Sequence, residues 1–404
     1  MEFERGSQFR GKARNLSSDG RAVVEAENSK FIFFVEGAWP GDQGIFEVQS
    51  LEKKYGFARV VEIQKQSDDR RSAPCPKQGY EDGKCGGCPW MIGNYSSQLH
   101  FKVHRLTHAL LRGGLIDDEK DGRLKKILEA PDEFRYRNRA QLKSDANKTG
   151  FLSTGSHTIV DVEECRVLNP KMQSLLTKLR EQIQSSGVPR TGDHPFVFVD
   201  LDDDLDPNSP EPFVFNRRRP FRQGNHAQNF KMQNWLLQKI TEFLPDSAKV
   251  LELYAGSGNL TKVLLQDEKI EKVLAIEVVD EALKNLQKLN PLRIEVLKKD
   301  LSRVSDFVEL SKKLLAGRRS EARSVAQWDA IVLDPPREGA KGLDRLLSSL
   351  KTPHVFYISC DIASFVRDTS PFKKMGWKLE SLTPLDLFPQ TPHVEILSHF
   401  IKSS

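Results

Sequence analysis

The chain has 404 residues, 38% hydrophobic and 29% charged, which is enough to bury the cores of two or three domains. Its net charge of +5 permits nucleic-acid binding but does not require it. No apolar run approaches the ~20 residues that a membrane span needs, and the amino-terminal stretch lacks the apolar core of a secretory signal. We therefore expect a cytoplasmic protein with no membrane partner.

The first 65 residues predict a small closed β-barrel. Four short β-type runs are separated by turn-rich pieces: Arg21–Glu25, Lys30–Val35, Gly44–Gln49 and Gly56–Ile63. Four or five short strands in so few residues are typical of an oligonucleotide-binding (OB-like) barrel. Acidic and basic residues are about balanced here, so an RNA-binding barrel and a purely structural one both remain open.

Five cysteines stand in the chain, and an odd number in a cytoplasmic protein argues against a disulfide framework. Cys85 and Cys88 form a Cys-x-x-Cys motif with two intervening glycines, Cys75 precedes them and Cys165 lies farther on. Chelating thiolates beside small residues suit an iron–sulfur cluster, and four thiolates also suit structural zinc. The sequence predicts a metal centre and leaves its kind open.

The central region is predicted to begin with a helix over 96–115, where apolar residues recur at helical spacing. Residues 125–215 are then predicted to alternate turns with short strands, including Arg139–Ser144, Thr158–Val162 and Phe196–Leu201. Two groups within 135–143 and 215–222 mix arginines with aromatic residues. Such mixtures can pair with phosphates and stack on bases, although a solvated face explains them as well.

From about residue 227 the pattern changes to alternating helices and apolar strands, which predicts a doubly wound parallel sheet. Four strands are indicated, at Lys249–Tyr254, Lys272–Glu277, Ile294–Leu297 and Ala330–Leu333. Glycine after the first strand lets a ligand lie on bare backbone, and Glu277 can accept ribose hydroxyls. The loop lacks the third glycine of a pyrophosphate-binding fingerprint, so S-adenosylmethionine fits better than a dinucleotide.

A further β-type run, Val355–Ile358, ends in Ser359-Cys360, and a helix is indicated over Ala363–Asp368. A thiol at the carboxyl end of a strand lies where open α/β sheets bind ligands. A small buried hydrophobe is the ordinary role of a lone cysteine. The segment alone leaves both roles open.

The ordered motifs LELYAGSGNLT, DPPREGA, ISC and PHVEIL, preceded by FRQGN, resemble those of the RNA 5-methyluridine (uracil-5) methyltransferases, which use S-adenosylmethionine. RYRNRAQLK and the CGGC cluster resemble that family's central region, and the barrel is similar to the TRAM domain of its 23S ribosomal RNA members. The resemblance implies a TRAM or OB-like barrel over 1–66, a central α+β domain with iron–sulfur cysteines over 67–222, and a Rossmann-like methyltransferase domain over 223–404.

Position by position, the resemblance also implies roles for individual residues. The nucleophile is Cys360 and the base is Glu395. Contacts to S-adenosylmethionine come from Gln223, Tyr254, Asn259, Glu277, Asp300 and Asp334. The ligands of a four-iron, four-sulfur (4Fe-4S) cluster are Cys75, Cys85, Cys88 and Cys165.

The chemistry explains why one thiol and one carboxylate are needed. Carbon 5 of uracil is too weak a nucleophile until a thiolate adds at carbon 6, and a base must afterwards remove the carbon-5 proton. Asp334 suits either the cofactor or the base edge. Arg367 could help to stabilise the thiolate, but an outward ion pair with Asp368 is the expected role. The chain departs from the family in having Asp361-Ile362, where Asn-Pro usually follows the nucleophile, and in a longer spacing between Cys75 and Cys85.

The barrel favours a uridine in 23S ribosomal RNA as the target, and ring chemistry favours a loop or flipped nucleotide. The same reaction on the T-loop uridine of transfer RNA is the first alternative. Methylation of another base and a non-catalytic RNA-binding factor are the others. No obligate protein partner is evident.

Overall fold

The computed structural model describes residues 3–189, 195–209, 212–316 and 327–402. The chain divides into two compact units. The first comprises Met1–Arg105, Pro131–Arg219 and Phe388–Pro392, and the second comprises Leu106–Ala130, Pro220–Leu387 and His393–Ser404. The division into three domains at residues 66 and 222 is not tested by this grouping and stays a prediction.

Five strands close into a barrel in the first unit, in the order β1-β2-β3-β5-β4. They are β1 (Gln8–Leu16), β2 (Ala22–Ala26), β3 (Ile32–Glu36), β4 (Gln43–Leu51) and β5 (Tyr55–Lys65). The predicted barrel is therefore confirmed. The sequence pattern missed β1 because its inward positions include Gly11 and Ala13, which carry little apolar signal. A side chain at position 11 is excluded, since its Cβ would lie 2.6 Å from the carbonyl oxygen of Glu25.

The first unit also contains an antiparallel four-stranded sheet in the order β8-β7-β6-β9. Its strands are β6 (Arg139–Ser144), β7 (Thr149–Leu152), β8 (Ile159–Asp161) and β9 (Val197–Asp202). The helix predicted over 96–115 is confirmed as α1 (Tyr95–Arg112), which begins in this unit.

The prediction of strands and turns alone for residues 125–215 is wrong at α2 (Pro170–Ser186). This helix begins where the Asn169 side chain accepts the backbone N–H of Met172, with proline in the first turn. Its apolar positions recur at helical spacing and pack with the sheet's core residues Leu142, Val199 and Leu201: Met172, Leu175, Leu176, Leu179 and Ile183. The cap and the spacing were both readable from the sequence.

The second unit is built on a seven-stranded sheet in the order β12-β11-β10-β13-β14-β16-β15. Its strands are β10 (Ala248–Leu253), β11 (Ile270–Glu277), β12 (Ile294–Lys298), β13 (Ala330–Leu333), β14 (His354–Ser359), β15 (Trp377–Leu385) and β16 (Glu395–Lys402). The helices are α3 (His226–Phe243), α4 (Thr261–Leu264), α5 (Asp280–Leu289), α6 (Val304–Ala316), α7 (Leu343–Ser349) and α8 (Ile362–Thr369). The predicted Rossmann-like fold is confirmed.

The register of this sheet determines which residues meet at its edge. Strands β10 to β14 are parallel, so the residues that follow them share one edge. Strand β16 runs antiparallel between β14 and β15, and its second residue, Ile396, pairs with Ser359 at the end of β14. The start of β16 therefore lies at the edge where the parallel strands end. No helix in the described ranges is long and apolar enough to span a membrane.

Candidate active site

The turn after β10 leaves open backbone at the carboxyl edge of the sheet. Tyr254 and Gly256 have φ angles of 59° and 55°, and such a left-handed conformation is uncommon for a residue with a large side chain. The Tyr254 hydroxyl donates to the carbonyl oxygen of Leu301 at 3.0 Å. A Cβ at Gly256 would meet nothing within 4 Å, whereas one at Gly258 would lie 2.6 Å from the Leu289 side chain. The backbone at Gly256 thus leaves room for a ligand.

Glu277 at the end of β11 is held against this turn. Its carboxylate accepts backbone N–H groups from Gly256 at 2.8 Å, from Val278 at 2.7 Å and from Val279 at 2.9 Å. A carboxylate offers about four acceptor positions, so these bonds leave capacity for a ribose hydroxyl. The arrangement fits the sugar of a nucleoside cofactor.

The other predicted cofactor residues have different surroundings. Gln223 donates to Asp334 at 3.4 Å, so the structure brings these two together. The Asn259 side chain exchanges hydrogen bonds of 2.9 and 3.0 Å with Asn229 of α3, which ties it to that helix. Asp300 accepts the backbone N–H of Ser302 at 2.9 Å on its own loop.

Cys360 and Glu395 lie at adjacent strand ends. Cys360 directly follows β14 and Glu395 is the first residue of β16, one step beyond the Ser359–Ile396 pair. Burial and, to a smaller extent, the charges of Glu395 and Asp334 raise the pKa of the Cys360 thiol to about 12, while the charge of Arg337 acts in the opposite direction. At neutral pH the thiol therefore carries its proton in the free protein.

The two neighbouring carboxyl groups are also perturbed. Burial raises the pKa of Glu395, which is 3% exposed, well above its usual range, and the charge of Asp334 adds to this effect. Burial raises the pKa of Asp334 to about 7, although the hydrogen bond from Gln223 acts in the opposite direction. A carboxyl group with a raised pKa can exchange a proton near neutral pH.

The residues after Cys360 begin α8. The Asp361 side chain accepts the backbone N–H of Ser364 at 2.7 Å and so caps this helix. The predicted ion pair between Arg367 and Asp368 is confirmed at 2.7 Å. Asp368 also accepts the Tyr357 hydroxyl at 2.8 Å. Arg367 is therefore part of a structural network behind the site.

Sequence reasoning missed polar residues that support the site from behind. Gln233 of α3 donates to the Asn259 side chain at 3.0 Å, and with Asn229 it forms an i, i+4 pair that the helical pattern contained. Glu252 in β10 is buried, accepts the Thr261 hydroxyl at 2.7 Å and has its pKa raised by burial to about 8. Neither motif spacing nor charge pattern distinguishes such an acid within a strand.

In the first unit the four predicted metal ligands line one cavity of about 30 Å³: Cys75, Cys85, Cys88 and Cys165. Burial raises the pKa of Cys85, Cys88 and Cys165, and the nearby Arg137 opposes this effect. Within the described ranges, no three His, Cys, Asp or Glu side chains are placed to hold a metal ion. The structure thus brings the four thiols together around one cavity.

The arginine–aromatic groups of the first unit divide between core and surface. Tyr136 is buried, with its hydroxyl 2.9 Å from the carbonyl oxygen of Pro389, so it is not placed to stack on a base. On β9, the Phe198 ring has Lys143 at 4.9 Å and Arg218 at 5.6 Å from its centroid. Burial and the charge of Arg218 lower the pKa of Lys143. Two cations beside one ring are compatible with a phosphate-bearing partner.

The second unit has the features of a Rossmann-like methyltransferase. The carboxyl edge of its doubly wound sheet carries an open glycine turn, an acidic residue suited to a ribose, and a thiol beside a carboxyl group. A sequence model of the tRNA (uracil-5-)-methyltransferase family matches residues 133–402. The chain belongs to this family. It is an RNA (uracil-5-)-methyltransferase that depends on S-adenosylmethionine.

Relatives match nearly the whole chain. An uncharacterized RNA methyltransferase of Nitrosomonas europaea is 38% identical over 402 residues, covering 98% of this chain and 97% of the relative. The 23S rRNA (uracil(1939)-C(5))-methyltransferase RlmD of Halomonas elongata is 28% identical, covering 98% and 90%. M. capricolum TrmK, solved with S-adenosyl-homocysteine, is 14% identical with a TM-score of 0.30, covering 42% of this chain and 69% of TrmK. That structural likeness carries no weight in assigning function.

Proposed function

We propose that this protein methylates carbon 5 of a uridine in 23S ribosomal RNA through a covalent bond between Cys360 and carbon 6. The observation that carries the proposal is the placement of Cys360 beside Glu395, at the edge where the glycine turn and Glu277 lie. A thiol and a carboxyl group at adjacent strand ends match the two groups that the reaction requires.

The two side chains act in sequence. Once the Cys360 thiol has lost its proton to solvent, the thiolate forms a bond to carbon 6, and the electron pair of the carbon 5–carbon 6 double bond forms an enolate that is nucleophilic at carbon 5. When bound, S-adenosylmethionine would supply a methyl group that its positive sulfur makes electrophilic. That group would pass to carbon 5 as the methyl–sulfur bond breaks, and S-adenosylhomocysteine would be the leaving group. Glu395 then takes the proton from carbon 5, the double bond re-forms, and the carbon 6–sulfur bond breaks to restore Cys360. The raised pKa of Glu395 makes its carboxylate a stronger base than an exposed one.

For the methyl donor we assign six contacts, Gln223, Tyr254, Asn259, Glu277, Asp300 and Asp334. The open backbone at Gly256 and the spare acceptor capacity of Glu277 support this assignment. Asp334 could contact either the methyl donor or the uracil. Gln223, another residue assigned to the methyl donor, donates a hydrogen bond to it, and its charge also acts on Cys360.

Two observations support 23S ribosomal RNA as the target over transfer RNA. Relatives that match 98% of this chain are named as 23S rRNA methyltransferases, and the first unit contains the closed barrel. The name of the matching family keeps the T-loop uridine of transfer RNA as the second candidate.

Mapping 5-methyluridine in RNA from cells with and without the gene tests this target. We expect at least one 23S uridine to lose its methyl group in the deletion strain and to regain it when the intact gene is returned. The Cys360→Ala gene should fail to restore it. Loss confined to the T-loop of transfer RNA would instead support the second candidate, and unchanged 5-methyluridine in both RNAs would contradict the proposal.

We further propose that Cys75, Cys85, Cys88 and Cys165 hold a 4Fe-4S cluster. The four thiols line one cavity, and Met91 and Phe151 are among its apolar lining residues. Small residues at 86 and 87 let the backbone approach inorganic sulfide. Four thiolates would also suit structural zinc, which is the alternative.

Anaerobically purified protein should contain iron and sulfide at about four of each per chain and absorb broadly in visible light. Cys88→Ser should lose both iron and absorbance, because the cluster loses one of its thiolates. Cys360→Ala is the matched control and should keep them, since Cys360 belongs to the other unit. A sample with neither iron nor sulfide would reject the cluster, and stoichiometric zinc would support the structural alternative.

A further inference from the structure

A contact between two side chains joins the loops that carry Asp334 and Glu395. Arg337 Nη2 lies 3.1 Å from His393 Nε2. Arg337 comes three residues after Asp334, and His393 comes two residues before Glu395. Both residues belong to the second unit. The contact therefore lies beside the strand ends that hold the reacting groups.

The chemistry of the contact defines its direction. A guanidinium group has only donors, so the Arg337 Nη2–H donates and His393 Nε2 must accept. An imidazole that accepts at Nε2 is neutral and carries its proton on Nδ1. His393 can thus orient Arg337 without adding a second positive charge.

Cys360 lies among acidic groups, and Arg337 is a cation that opposes them. The charges of Glu395, Asp334 and Asp361 disfavour the Cys360 thiolate, whereas that of Arg337 favours it. The nearby Arg367 is engaged elsewhere, with Asp368 at 2.7 Å and with the carbonyl oxygen of Glu338 at 2.6 Å. Arg337 is held beside the start of β16 by its 3.1 Å contact with His393, and its charge favours the thiolate. Sequence reasoning did not single it out.

We propose that Arg337, oriented by its hydrogen bond to His393, is a positioning residue that stabilises the thiolate of Cys360. The inference rests on the proposed role of Cys360 as the nucleophile. The same charge serves two steps, because the sulfur is anionic both before it adds to carbon 6 and after it leaves. Arg337 is solvent-exposed, so salt should screen its effect.

The reactivity of Cys360 toward iodoacetamide measures this effect directly, since only the thiolate is alkylated. Modification is followed by mass spectrometry of the tryptic peptide 352–367, which contains no other cysteine. In Arg337→Gln the rate at a fixed pH should fall by a factor of roughly 3 to 10, because an opposite charge near an ionisable group shifts its pKa by about a unit. Arg337→Lys, which keeps the charge, should recover part of the rate.

Arg345→Gln is the matched control, because Arg345 is an exposed arginine of α7 beside Asp344. It should alkylate like the unchanged protein. His393→Ala should slow alkylation less than Arg337→Gln does, because the charge remains but its position is lost. In 1 M salt the difference between the unchanged protein and Arg337→Gln should shrink.

The inference would be overturned if Arg337→Gln were alkylated at the same rate as the unchanged protein across the pH range. The variant must also show normal circular dichroism and normal S-adenosylmethionine binding. Failure of the proposed function has a different signature. Methyl transfer by Cys360→Ala would reject Cys360 as the nucleophile and leave the alkylation result intact. Arg337→Gln could also be alkylated slowly and yet transfer methyl groups at the normal rate. The charge would then act on a thiol that the reaction does not use, and the positioning role would be overturned.

Discussion

Replacing Cys360 by alanine should abolish the release of tritium from RNA labelled at carbon 5 of uridine. Without a thiolate, carbon 5 does not become nucleophilic, and we expect the rate to fall by a factor of roughly 10⁴ or more, as it does when other enzymes lose a covalent nucleophile. Binding of S-adenosylmethionine should persist, because the glycine turn and Glu277 are unchanged. Tritium release and cofactor binding are measured on the same preparation.

Ser370→Ala provides the matched control for this substitution. Ser370 follows α8, and its hydroxyl donates to the carbonyl oxygen of Val366 in that helix. Its loss should leave tritium release nearly unchanged. Full activity in Cys360→Ala would sink the covalent mechanism, whatever the outcome for the control.

Replacing Glu395 by glutamine should trap the protein on its RNA. The thiolate can still add and carbon 5 can still be methylated, but a glutamine cannot take the carbon-5 proton, so the bond between Cys360 and carbon 6 persists. Labelled RNA should then migrate with the protein on a denaturing gel. Turnover should be lost, while the first covalent step should survive.

The same variant has an expected effect on stability. Because burial raises the pKa of Glu395, folding favours the protonated carboxyl group. The resulting stabilisation is fully present below the unfolded-state pKa of about 4.3 and is lost as pH rises through the higher folded-state pKa. Glutamine does not titrate, so Glu395→Gln should lose less free energy of unfolding than the unchanged protein does as the pH rises above about 4.3.

Glu380→Gln is the matched control for both measurements, since Glu380 is exposed on the adjacent strand β15. It should form no stable adduct and should follow the unchanged protein in its pH dependence. If Glu395→Gln leaves no adduct that survives denaturation, Glu395 is not the base that completes the reaction.

Much of the fold followed from local patterns. The five parallel strands after residue 247 each agree with their predicted ranges to within about two residues, whereas β15 and β16 were not predicted. Strand β1 and helix α2 were missed for opposite reasons. The first has small inward residues and a weak signal, whereas the second had a clear asparagine cap and helical spacing that a strand-and-turn interpretation overlooked.

The candidate site residues were named from the order of motifs, and the structure adds their surroundings. Glu277 meets the glycine turn through Gly256, in keeping with the predicted cofactor edge. Asn259 instead bonds to Asn229 and Gln233 of α3, partners that no motif indicated. Asp361, a departure from the family pattern, caps α8 and thereby preserves the start of the helix after the thiol.

The sequence by itself predicted most of the elements, indicated the family and singled out Cys360 as the candidate nucleophile, because periodicity and short motifs are local properties of the chain. Only the tertiary structure decided which distant groups face one another. Strand β16 enters the sheet antiparallel beside β14, and this register brings Glu395 next to Cys360. The same packing leaves Arg337 to act on that thiol and commits Arg367 to Asp368. The charge states of these side chains depend on their burial and on partners that are distant in sequence. Neither can be determined from a single stretch of sequence.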